Sequence, residues 1–350
     1  MENNKNIRHL SLQELETFFI TLGEQKFRAK QVYEWLWQKH AHSFEDMSNV
    51  SKALRNTLAE NFSLPALKVD TTQFSADGTI KSRFTTYDHH KIEGVLIPTE
   101  ERKTACVSSQ IGCSLSCKFC ATGYMDRKRN LTYDEIYDQV VLLNQQSEKG
   151  YGKKLTNIVF MGMGEPLLNY SNVLKSVERI SAEDGLGMSP RRITVSTAGV
   201  AKMIRKLGDD KVRFKLALSL HAANDKKRNE IMPINETNNI KELVEALNYF
   251  YKQTDNEITF EYILFKDFND SQEDADELVK IFRQVPADLV NIIEYNNIEQ
   301  FRFTKPDEDK VDDFMRYLNS KRVNAHLRRS RGKDIDAACG QLANKKQVSL

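Results

Sequence analysis

Three cysteines stand close together in Cys113-Ser-Leu-Ser-Cys117-Lys-Phe-Cys120. Thiolates are soft ligands, and thiols crowded on one loop can wrap a single compact metal centre, either an iron–sulfur cluster or zinc. Most protein-bound cubane clusters take four cysteines. Three leave one iron to be ligated from elsewhere or to stay open to a substrate. A zinc site would need a histidine or another cysteine as fourth ligand. Zinc knuckles also pair ligands on two separate turns, and here all three crowd one loop, so the spacing favours the cluster.

Two cysteines remain, Cys106 and Cys339. Cys339 lies among Ala337, Ala338 and Gly340, small residues that permit a flexible loop in which a thiol meets a bulky partner. An inert buried cysteine would sit within an apolar run. Cys339 therefore reads as reactive, with Cys106 as a candidate redox partner. The segment ahead of it, from Lys321 to Lys333, holds six Lys or Arg and no acid, which suits a phosphate backbone. Further polar and glycine-rich segments are Gly162-Met-Gly164-Glu165-Pro166, Ser196-Thr-Ala-Gly199, Ser219-Leu220-His221 and Tyr295-Asn296-Asn297. Taken singly these are a tight turn, a helix cap or a buried histidine.

What gathers them is the pattern of elements. From about Thr104 the chain alternates strand, loop and helix. Strands are predicted at 104–108, 157–161, 192–196, 214–220, 258–264 and 289–293. The helices between them are placed near 132–146, 170–182, 199–207, 239–252 and 272–284, and Thr132-Tyr-Asp-Glu135 is a capping box for the first. Six such repeats predict an α/β fold, a parallel sheet curled into an incomplete (β/α)6 barrel, closed by a helix at 308–319 and a strand at 322–328. Active sites of such barrels lie at the C-terminal ends of the strands. Each polar segment named above falls there, and together they form a pocket.

Ahead of the barrel, residues 1–65 read as a helical accessory domain. Ser11-Leu-Gln-Glu14 is a capping box, Leu12, Leu15, Phe18 and Phe19 form a stripe, and Gly23 is a stop. A second helix carries Phe27, Val32, Trp35 and Leu36 on its apolar face, and a third runs from Ser51 through Leu54, Leu58 and Phe62. Lys26, Arg28, Lys30 and Lys39 make either a solvated face or a phosphate-binding one. Residues 66–98 read as a β-hairpin extension turning at Asp77-Gly78, and its strand Lys91–Ile97 carries Glu93 toward the core, residues 99–350.

The 350 residues are 40% hydrophobic and 29% charged, the balance of a globular protein, and the net charge of +2 confines any polyanion contact to local patches. No apolar run approaches a membrane span and Met1–Asn6 shows no signal-peptide pattern, so a cytoplasmic location without membrane partners is expected.

The C-x3-C-x2-C spacing is also that of the radical S-adenosylmethionine (SAM) enzymes, where SAM chelates the open iron. Cys106-Val-Ser-Ser-Gln-Ile-Gly-Cys113, Met161-Gly-Met-Gly-Glu-Pro166, Ser219-Leu-His221, Met232-Pro-Ile-Asn235 and Asp334-Ile-Asp-Ala-Ala-Cys-Gly-Gln341 occur with it in one order. In these blocks the chain resembles the RlmN family of radical SAM RNA methyltransferases from about residue 9 to 342. The resemblance implies a [4Fe–4S] cluster on Cys113, Cys117 and Cys120, two SAM per turnover, and SAM contacts from Gly164, Glu165, Ser196, Ser219, Leu220, His221 and Asn296. It further implies that Cys339 carries a methyl group, that Cys106 resolves a covalent RNA adduct, and that Glu93 or Cys106 accepts a proton from C2 of adenine. The substrates it implies are 23S rRNA and tRNA, with a flavodoxin-like electron donor and a monomeric state. Asp126-Arg127 and Tyr295-Asn296-Asn297 depart from the family's usual Gly-Phe-like and Trp-Asn-Pro segments. Two alternatives stand beside it. The Cfr-type sister enzymes methylate C8 and typically lack counterparts of Pro166 and of Arg331-Gly332, and a non-enzymatic RNA-binding protein could hold structural zinc.

Overall fold

The computed structural model describes residues 5–345. Helices α1 (Leu12–Thr21), α2 (Lys26–Trp37) and α3 (Lys52–Asn61) form the N-terminal unit. Ser11 and Glu14 complete the expected capping box, and Gly23 ends the segment at φ +75°. Leu15, Phe19, Val32, Leu36, Leu54 and Leu58 are buried, and Phe62 packs edge-on against Phe18. Phe27, expected on the apolar face, is 53% exposed. Five residues from Val32 is about 140° of helix rotation, which turns Phe27 away from the core.

The unit is fixed to helix α4 (Tyr133–Tyr151), whose capping box at Thr132 and Glu135 is present as expected. Arg8, buried, donates to both carboxylate oxygens of Asp138 at 2.5 and 3.1 Å and lies 3.2 Å from Asp134. His9 reaches the same Asp134 at 3.0 Å. Trp37 stacks on Tyr133 and meets the edge of Tyr137.

The next strands are β1 (Lys68–Phe74), β2 (Ile80–Thr85), β3 (Lys91–Pro98) and β4 (Lys103–Cys106), each antiparallel to its neighbour. A short pair, β5 (Gln110–Ile111) and β6 (Arg129–Asn130), pins the base of the cysteine loop. From β4 the sheet continues in parallel through β7 (Asn157–Phe160), β8 (Ile193–Thr197), β9 (Lys215–Ser219), β10 (Ile258–Leu264), β11 (Leu289–Glu294) and β12 (Ala325–Arg328). The six predicted strands and the closing strand are therefore neighbours in sequence order. The 66–98 segment has three strands, and all continue the barrel's own sheet, which has ten strands in all.

Helices α5 (Tyr170–Ser181), α6 (Ala201–Asp209), α8 (Ile240–Thr254), α9 (Gln272–Gln284) and α10 (Glu308–Ser320) lie close to their predicted places. Helix α7 (Asp225–Ile231) was not expected. It has only seven residues, too few to show a helical period, although Asn224 caps it. The parallel strands are apolar because both faces are covered, and every residue of β10 is buried, Glu261 included. No helix of the described residues is long and apolar enough to cross a membrane.

Candidate active site

The seven parallel strands end around one cavity of about 860 Å³, open mouth included. The loop after β4 brings Cys113, Cys117 and Cys120 to its wall. Burial raises all three thiols above their ordinary range, Cys113 to about 11, and holds them protonated until a metal displaces the proton. The loop is gripped from two sides. Lys118 N–H donates to Ile231 at the end of α7 at 3.0 Å, and Ala121 N–H donates to Gly340 in the tail at 2.7 Å. Phe119 packs edge-on against His221 at 4.7 Å, inside an apolar cluster with Ile231, Met232, Ile263 and Phe265.

Beyond β7, Gly164 has φ +93°, and a Cβ there would stand 2.4 Å from Gln110. Only glycine lets this turn close on β5. The turn places Glu165, buried, where its carboxylate accepts Ala198 N–H at 2.8 Å and Leu167 N–H at 3.0 Å, tying the rims of β7 and β8 together. Burial nevertheless raises its pKa. Ser196 and Ser219 share a hydrogen bond of 3.3 Å across β8 and β9. His221 has φ +54° and its Nδ1 accepts Ile263 N–H at 3.1 Å, so the ring proton sits on Nε2. Burial, then the charge of Arg228, pushes His221 down to about 3, so it is neutral at physiological pH.

Arg228, on α7, is fully buried and donates to the carbonyls of Ala198, Ser219 and Leu220 and to Asn235 Oδ1. None of these acceptors carries charge, and a buried cation needs a counter-charge. Of the groups that could offset its charge, the Cys117 sulfur acts on it most strongly, ahead of Asp225. Across the cavity Arg328 pairs with Glu261 at 3.3 Å, and the Cys339 sulfur, then Glu261, hold its guanidinium charged. Burial, then the neighbouring Cys339, pushes the Cys106 thiol up to about 12, with Arg328 pulling the other way.

Residues 5–64 match the model of the ribosomal RNA large subunit methyltransferase N-terminal domain, and residues 107–279 match that of the radical SAM superfamily. A probable dual-specificity RNA methyltransferase RlmN of Cytophaga hutchinsonii is 57% identical over 341 residues, spanning 97% of this chain and 93% of the relative. This chain belongs to the RlmN family. Its counterpart in Christiangramia forsetii is 53% identical over 98% of this chain and 97% of that protein. The crystal structure of a radical SAM methyltransferase from Sphaerobacter thermophilus matches with a TM-score of 0.91 at 39% identity, over 97% of this chain and 99% of that one.

An RlmN-family radical SAM enzyme uses a [4Fe–4S] cluster and SAM. The residues present fit them. Three thiols border one cavity inside an apolar shell, and the buried Arg228 cation faces Cys117 without a carboxylate bonded to it.

Of the SAM contacts expected in an RlmN enzyme, Gly164, Glu165, Ser196, Ser219 and His221 line the cavity. Leu220 does not. It is buried behind the rim, where its N–H donates to Glu261 and its carbonyl accepts Arg228. Asn296 is also absent from the lining; its amide donates to Ser330 Oγ at 2.9 Å and to the Cys339 carbonyl at 3.4 Å, so it steadies the tail. Glu93 lies buried outside the cavity and accepts the N–H groups of Ala343 and Asn344 at 3.0 and 3.2 Å, with Lys81 at 3.7 Å. Sequence reasoning missed Glu261, Arg228 and Met232 as parts of the site. Glu261 did carry a signal, being the one charged residue in the run Ile258–Leu264.

Proposed function

We propose that the protein methylates C2 of adenine in 23S rRNA and in tRNA, using Cys339 as methyl carrier and Cys106 to resolve a covalent RNA–protein adduct. The observation that carries this reading is the position of Cys339. It borders the cavity of the cysteine trio, and it also borders a second cavity, where Cys106 is part of the wall. When bound, SAM and the cluster supply a methyl donor and a 5′-deoxyadenosyl radical. C2 of adenine lies between two ring nitrogens and is electron-poor, so it does not attack a methyl group as a nucleophile.

Cys339 instead takes the methyl by displacement from one SAM, with S-adenosylhomocysteine as the leaving group, beside the Arg328 guanidinium. Once one hydrogen atom of that methyl has passed to the 5′-deoxyadenosyl radical, the resulting Cys339 S-methylene radical adds to C2. Cys106 then attacks the Cys339 sulfur as the C2 proton leaves: the adduct's one surplus electron would pass to the bound cluster, the released methylene carbon takes a proton to become the methyl group, and a Cys106–Cys339 disulfide remains. The C2 proton needs an acceptor. Cys106, pushed up to about 12, is protonated at neutral pH. It must itself give up that proton to become the attacking thiolate, and Glu93, the other candidate, has its carboxylate held by the tail, so a role for Glu93 requires the tail loop to shift.

The test is nucleoside analysis of unmodified 23S rRNA and tRNA after anaerobic incubation with reconstituted protein, SAM and reductant. 2-Methyladenosine that is lost on Cys339→Ala is the expected result. 8-Methyladenosine would move the protein to the Cfr-type sister enzymes, and no methylated adenine would overturn the RNA assignment.

A further inference from the structure

The second cavity holds about 1280 Å³ to its mouth, and Cys339, Gly340 and Arg328 form the partition between it and the first. Its outer wall comes from two places far apart in the chain. Thr99 and Arg102 lie at the turn between β3 and β4 and Thr104 in β4 itself, and Arg329, Ser330 and Arg331 follow β12. Four arginines line it and no acid does. Arg328 is paired with Glu261, but Arg102, Arg329 and Arg331 are exposed. Among the described residues no acceptor or carboxylate engages their guanidinium groups. Unpaired guanidinium forks around an acid-free cavity are a receptor for phosphate oxygens.

The rest of the basic run does not join them. Lys333 is paired with Glu294 at 2.8 Å. Lys321 and Arg322 precede β12 and so lie at the opposite end of the parallel sheet. The run that looked like one phosphate track is divided by the strand that passes through it.

We propose that the second cavity is the nucleotide subsite, in which Arg102, Arg329 and Arg331 hold the phosphates flanking an extruded adenosine while its base reaches between Cys106 and Cys339. The inference rests on the reading of Cys339 as methyl carrier to RNA. It adds the residues that select a polyanionic chain over a free nucleobase. It also explains why Cys339 sits in a partition: the sulfur faces the methyl donor on one side and the acceptor on the other. A base can enter such a pocket only after leaving its stack, and three phosphate contacts hold the strand at the mouth while it does so.

The experiment uses the full chain with its cluster reconstituted, as wild type, as Arg102→Gln, Arg329→Gln and Arg331→Gln singly and combined, and as Arg322→Gln. Affinity for an RNA hairpin carrying the target adenosine is measured against salt concentration, and Cys339 S-methylation by SAM without RNA is followed by mass spectrometry. Each substitution in the cavity is expected to weaken binding about tenfold at low salt and to lower the slope of log K against log salt by roughly 0.7 to 0.9. Arg322→Gln leaves both unchanged, and S-methylation persists in every variant. An unchanged affinity and slope in the triple variant, with S-methylation intact, would overturn the subsite. Absence of S-methylation in the wild type would instead overturn the reading beneath it.

Discussion

His221 shows how one side chain can report on the site. Its Nδ1 is committed to Ile263 and burial pushes its pKa down to about 3, against 6.5 for the free side chain. Between those two values the unfolded chain binds a proton that the folded chain refuses. Folding stability therefore rises with pH across this window, and is lost as pH falls from about 6.5 toward 3. The contribution has a limiting slope of about 1.4 kcal/mol per pH unit. His221→Asn keeps a side chain that tolerates the positive φ and removes the titration. Urea unfolding of the cluster-free protein at pH 4, 5, 6 and 7 should give the variant a shallower acid-side slope than the wild type. Parallel slopes would show that His221 does not titrate as its burial requires. That histidine was legible as a rim residue from Ser219-Leu-His221. Its tautomer was not, because the partner that sets it lies 42 residues away on β10.

At the scale of elements, the antiparallel extension serves as the seat of the tail that carries Cys339. Asp77 accepts Gly332 N–H at 2.9 Å, Ser75 and Ala76 hold the Asp334 carboxylate, and Asn344 donates to the Lys91 carbonyl at 2.7 Å. Glu93 completes the clamp with two charge-assisted bonds to Ala343 and Asn344. On the other side Thr122 of the cysteine loop donates to Leu342 at 2.6 Å. The tail that carries Cys339 is thus strung between the extension and the cluster loop. Glu93→Ala should free the Ala343 and Asn344 amides. With about 2 kcal/mol lost, their hydrogen exchange should quicken about 30-fold while amides of β10 stay protected. Unaltered exchange at those two positions would leave Glu93 with no part in holding the tail.

For the whole molecule, one buried tie between the N-terminal unit and the barrel is Arg8. Its side chain and those of Asp134 and Asp138 are almost wholly withdrawn from water. Such a pair contributes little against a well-packed apolar replacement, but breaking it strands a buried charge. Arg8→Met should cost about 3 to 5 kcal/mol in chemical denaturation, and adding Asp138→Leu should recover part of that. A single variant as stable as wild type would mean that the helical unit docks through its other contacts, such as Trp37 against Tyr133 and Tyr137.

Sequence by itself determined what depends on near neighbours. Three thiols at four- and three-residue spacing, glycines at the tight turn before Glu165, two capping boxes and the regular alternation of strand and helix are all local patterns, and each stands where it was expected. Tertiary structure alone decided which side chains face one another. Arg328 and Arg329 are adjacent in sequence, yet the first turns inward to Glu261 and the second outward to the mouth of the nucleotide cavity. Side chains alternate along a strand, and only the neighbouring strand defines which face is inside. Nothing near Glu93 in the sequence marks it as a clamp on the tail, because its partners lie 250 residues further on. Arg102 carried no signal, since nothing near it says that a turn between two antiparallel strands will meet the tail that carries Cys339. Spacing along the chain can specify a cluster loop, but a cavity is made by segments that meet only when the barrel closes.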